Sequence, residues 1–77
     1  MNAATVAQRL LDATRATWLR IQAQACDRAI DQAHADGVLD SETLRDYARQ
    51  RDAHWAELAR IETRRALRRL DARRAAR

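Results

Sequence analysis

Five arginines fall within ten residues, Arg60, Arg64, Arg65, Arg68 and Arg69, and they are the part of this sequence best suited to chemistry. The guanidinium fork matches phosphate and carboxylate oxygens two at a time. On a helix, spacings of three and four put these side chains on one side, opposite a stripe of Ala59, Ala66, Leu67 and Leu70. A basic helix of this kind can follow a nucleic-acid backbone by releasing counterions, without reading sequence. It can also lie against an acidic protein or an anionic membrane, or stand solvated where the helix dipole favours cations. No aromatic residue interleaves the arginines, which weakens stacking on single strands.

The charge is unevenly placed. Residues 60–77 hold eight arginines and two acids, whereas residues 1–59 hold seven arginines and nine acids. All 15 basic residues are arginine. Abundant alanine throughout the chain ties this to a GC-rich, bacterial or phage-like composition more than to selection for forked contacts.

Catalytic or metal chemistry would have to use Cys26, His34 and His54. Their positions do not converge in any short-turn hairpin, where they lie level with residues 50, 42 and 22. No Cys-x-x-Cys pair, His-Glu-x-x-His helix, phosphate-cradling glycine loop or nucleophile elbow is present. Around Gly37 the chain looks like the middle of a calcium loop. Asp36 and Asp40 are too few carboxylates, however, and Thr43 stands where a bidentate Glu is needed. The expectation is a protein with no catalytic, cofactor or metal residues, which is not an enzyme. Cys26 reads as a small core residue and His54 as a boundary residue beside Trp55.

The elements that position the arginines follow from punctuation. The chain of 77 residues has one glycine, Gly37, near its middle and no proline. Helix 1 is expected over about residues 3–36, a turn at 37–40, helix 2 over about 41–72, and a frayed basic tail at 73–77. Gly37 suits the left-handed position after a C-cap. Val38 would fold back on Ala33, Asp40 would cap helix 2, and Leu39 would pack on Leu44 as a hydrophobic staple. So short a connection makes the arms antiparallel: an all-α, two-helix hairpin in a single domain.

Such a hairpin has one seam and little core. The apolar residues of helix 1, including Val6, Leu10, Leu11, Trp18, Leu19, Ile21, Cys26 and Ile30, spread over about two thirds of its circumference, more than one neighbour can cover. Self-association into a dimeric four-helix bundle is the natural completion. Folding about residues 37 to 39 pairs positions whose numbers sum to about 76, which brings Trp18 and Trp55 within about one turn as an aromatic core layer. The same register sets Asp12 against Arg64, Asp27 against Arg49 and Asp31 against Arg45. Within helix 2, Glu42 and Arg45, Asp46 and Arg49, Glu57 and Arg60, Glu62 and Arg65, and Asp71 and Arg74 are spaced to pair along the helix.

A lone cysteine, the lack of an apolar leader at the N-terminus and the lack of a membrane-spanning run lead to a cytoplasmic expectation. The sequence therefore reads as a small regulatory or adaptor protein, a homodimer that binds a protein partner through its helical surface. The alternative is an RNA- or DNA-binding regulator that uses Arg60, Arg64, Arg65, Arg68 and Arg69. Leu67 and Leu70 are the apolar half of the same candidate surface.

Overall fold

The computed structural model describes residues 2–37 and 41–76. Two helices, α1 (Ala3–Ala35) and α2 (Ser41–Ala75), pack against each other along a rod of 57 × 21 × 16 Å, and no strand occurs among the described residues. Cross-helix pairs join Asp12 to Arg64 and Asp27 to Arg51, so residue numbers rise on one arm as they fall on the other. The arms are antiparallel.

Each helix begins and ends for local reasons. Asn2, in an extended conformation, caps α1: its side-chain oxygen accepts from the Thr5 backbone N–H at 2.8 Å. At the other end Asp36 donates to the Gln32 carbonyl at 2.9 Å and Gly37 donates to the His34 carbonyl at 3.1 Å. The second of these is one of the two bonds of a Schellman ending. Gly37 has φ +70°, the left-handed region in which a side chain is strained. Val38, Leu39 and Asp40, expected to complete the turn, the staple and the second cap, lie outside the described residues.

A Cβ at Gly37 would meet nothing within 4 Å, so the cost of adding one is conformational alone. Gly37→Ala should destabilise the hairpin by about 1 kcal/mol in a urea titration. An unchanged midpoint would show that the left-handed turn is dispensable.

The seam has a strict pattern. In α1 the inward positions are Asp12, Ala16, Leu19, Ala23, Cys26, Ile30 and Ala33, which alternate steps of four and three; the first five are buried and the last two half-buried. In α2 the same alternation runs through Leu44, Tyr47, Arg51, His54, Leu58, Ile61, Arg65 and Arg68, all buried or half-buried. That is the heptad geometry of a coiled coil. Its fully buried apolar part is short: Ala16, Leu19, Leu58 and Ile61 form the one cluster of buried apolar side chains among the described residues.

Helix α2 continues through Arg73 and Arg74 to Ala75, three residues past the expected bound, with every residue from Arg69 to Ala76 exposed. One expectation is corrected. The tryptophans form no core layer: Trp18 is 42% and Trp55 39% exposed. Trp18 instead meets the seam residue His54 edge-on, with ring centroids 5.5 Å apart. Consecutive helix residues are about 100° apart, so the side chain after His54 turns away from Trp18. Level in the register was not enough; the two rings leave the seam in different directions.

Candidate interaction surface

The arginine-rich part of α2 is turned the opposite way from what its apolar stripe would dictate. Arg65 and Arg68 are half-buried against α1, while Leu67 and Leu70 face outward at 56% and 48% exposed. The cause is Asp12, a buried carboxylate only 3% exposed. Arg64 Nη2 donates to Asp12 Oδ1 at 3.0 Å, Arg68 Nη2 donates to Oδ2, and Gln8 Nε2 donates to Oδ1 at 3.0 Å. A buried carboxylate left without cations would cost far more than two leucines left in water. The heptad therefore continues past Ile61 with arginine at both seam positions, and apolar residues face outward.

The Asp12 carboxyl is held below its ordinary range, first by the Arg68 hydrogen bond, which outweighs burial, and then by Gln8 and Arg64. The Arg15 hydrogen bond likewise lowers Glu57. Both groups take up protons more readily when unfolded. Their stabilisation is complete above the unfolded value, about pH 4, and is lost as pH falls through the lower folded values. Thermal unfolding should show a falling stability limb below about pH 4. Asp12→Asn should be less stable at neutral pH and lose less on acidification; an acid limb as steep as in the parent chain would remove Asp12 from this account.

The five sequence-singled arginines thus divide. Arg64 and Arg68 serve Asp12, and Arg69 reaches only the Arg65 carbonyl, at 3.4 Å. Arg60 and Arg65 meet no carboxylate at ion-pair distance among the described residues. Arg65, Arg68 and Arg69, together with Arg9 and Ala72, wall a cleft of about 400 Å³ between the helices. Arg9 belongs to α1, and the sequence pattern alone gave no reason to group it with the others.

Several acids expected to pair along α2 cross the seam instead. Glu57 receives Arg15 through two bonds of 3.0 Å each, and Glu62 receives Arg20 at 2.8 Å. Arg15 also lies over the Trp18 ring at 4.5 Å. Asp27 meets Arg51 at 3.3 Å in place of Arg49, which pairs with Asp46 along the helix. Asp31 and Arg45 form no ion pair with each other. Positions flanking a coiled-coil seam face the partner helix, so their charges meet across it. The heptad, once seen, would have identified Arg15 with Glu57 and Arg20 with Glu62; Arg51 reaches Asp27 from the seam itself.

Among the described residues, eight large apolar side chains remain exposed: Val6, Leu10, Leu11, Trp18, Ile21, Trp55, Leu67 and Leu70. All fall within residues 6–21 and 55–70, the half of the rod remote from the turn. On α1, Val6, Leu10 and Ile21 lie on the side opposite the seam. There they are joined by Ala3, Ala7, Thr14, Thr17 and Ala25 in a surface without a charged residue. On α2, Leu67 and Leu70 lie beside Ala59, Thr63 and Ala66. Cys26 is buried and forms no disulfide, and no group of three His, Cys, Asp or Glu residues is placed to hold a metal ion among the described residues. No helix among the described residues is long and apolar enough to cross a membrane. The chain matches no family model, no curated protein and no solved structure.

Proposed function

We propose that this chain is a small non-enzymatic adaptor or regulator that self-associates through the outer face of α1 and offers the outer face of α2 to a protein partner. The observation that carries this reading is the second apolar face of α1, diametrically opposite the seam and uncharged from Ala3 to Ala25. A helix that is apolar on two opposed sides expects two neighbours, and the hairpin supplies one.

Area supports a second copy as the other neighbour. The chain exposes 6001 Å², whereas a compact monomer of its mass exposes about 4,800 Å². The excess is roughly 1,200 Å², well above the about 800 Å² that each partner buries in a standard interface. Two hairpins paired through α1 make a dimer of four helices and leave Leu67 and Leu70 free for a partner. Cytoplasmic action suits a chain with a single, buried thiol.

Against the nucleic-acid alternative stands the engagement of Arg64 and Arg68 by Asp12 and the half-burial of Arg65 and Arg68, which leave no continuous outward row of five arginines for a polymer backbone to follow. Sedimentation at micromolar concentration tests the proposal: a dimer is expected. A cooperatively folded monomer would overturn it.

A further inference from the structure

The cleft walled by Arg9, Arg65, Arg68 and Arg69 lies where the seam should be apolar. Past Ile61 the inward positions of α2 are Arg65 and Arg68, and Arg9 approaches from α1. Asp12 is the buried acid there, and it already takes both Arg64 and Arg68. Half-buried Arg65 and exposed Arg69 line the same cleft, and neither meets a carboxylate at ion-pair distance among the described residues. Like charges brought together repel, and they do so more strongly away from bulk water. A missing counter-charge is the simplest completion.

We propose that this cleft binds a compact small-molecule anion carrying adjoining phosphates, a di- or triphosphate group. The cleft of about 400 Å³ lies within the about 300–1,000 Å³ usual for small-ligand sites. Arg9 comes from α1 and the other walls from α2, so a discrete ligand would be met from two sides; a polymer backbone would need a continuous outer track. Arginine suits phosphate because each guanidinium presents paired donors to paired oxygens. Arg68 would bridge Asp12 and the anion, donating to both. The bound group would neutralise the repulsion among Arg65, Arg68 and Arg69 and, held by walls from both helices, draw the open end of the hairpin together. This site shares no residue with the outer face of α1, so it does not depend on the dimer.

Calorimetric titration of the full chain with inorganic triphosphate tests the assignment. Saturable binding of one anion per chain is expected, with a rise in melting temperature. Arg65→Ala with Arg69→Ala should weaken binding by about tenfold or more, the loss expected for two charge-assisted contacts. Arg73→Ala with Arg74→Ala, further along the same helix and outside the cleft, should leave binding unchanged. Arg65→Leu separates binding from folding: it restores an apolar seam residue, so it should melt higher without ligand and gain less from triphosphate. Absence of triphosphate binding would overturn the proposal, as would equal weakening by the Arg73 and Arg74 pair, which would mean diffuse charge only. Tight binding of a 20-nucleotide RNA with none of triphosphate would replace it with backbone tracking.

Discussion

Leu19→Ala should leave the hairpin largely unfolded at ambient temperature. Leu19 is fully buried and packs with Ala16, Leu58 and Ile61, the one cluster of buried apolar side chains among the described residues. Removing three carbons from such a site costs about 2–5 kcal/mol, counting the cavity they leave. A chain of this length has about 4–12 kcal/mol to lose, and one with six buried apolar residues belongs at the lower end of that range. Among the described residues no second cluster of buried apolar side chains stands beside it. Urea unfolding followed by circular dichroism measures it; a loss under about 1 kcal/mol would place the stabilising contacts elsewhere.

The second large effect concerns association. Leu10→Glu combined with Ile21→Glu should convert the proposed dimer to monomer, raising Kd by at least about a thousandfold. Each protomer would lose two side chains worth about 1.5–3 kcal/mol apiece, and the interface contains each of them twice. The carboxylates would also face their symmetry mates across a former apolar contact. Because both positions are exposed in the single hairpin, at 65% and 53%, the substitutions do not touch its seam. Leu67→Glu with Leu70→Glu is the contrasting pair. It should leave the dimer intact while abolishing partner capture. If instead the Leu67 and Leu70 pair dissociates the dimer and the Leu10 and Ile21 pair does not, the self-association face lies on α2.

What the sequence disclosed and what it concealed have the same physical origin. Gly37 and the absence of proline announced two arms, and the register of about 76 that follows from their fold recurs in the structure. Leu19 packs in one cluster with Leu58, and Asp12 binds Arg64, pairs that sum to 77 and 76. Hidden from an apolar wheel was the rotation of α2 beyond Ile61. There two stripes competed, one of Ala59, Ala66, Leu67 and Leu70 and one of arginines. Hydrophobicity favoured the first, but a single buried carboxylate on the other helix decided for the second. The tryptophans misled for a related reason: large apolar residues are assumed to seek the interior, whereas both indoles fall one position outside the seam, Trp18 beside Leu19 and Trp55 beside His54. Polar seam residues such as Arg51 and His54 are invisible to any scale that counts only apolar character.

The seam changes chemistry along its length, from close-packed alanine and leucine at Ala16 and Leu19 to an arginine and carboxylate lattice at Asp12. Such a zipper has a dry middle and a wet end. The dry part should resist salt and acid and the wet part answer to both, so the two arms are expected to part first at the end remote from Gly37, like tongs with a fixed pivot. An anion held between those tips would act as a clasp whose grip follows its concentration. The rod would then report on a small solute by how firmly its two arms stay shut, with the turn at Gly37 unchanged throughout.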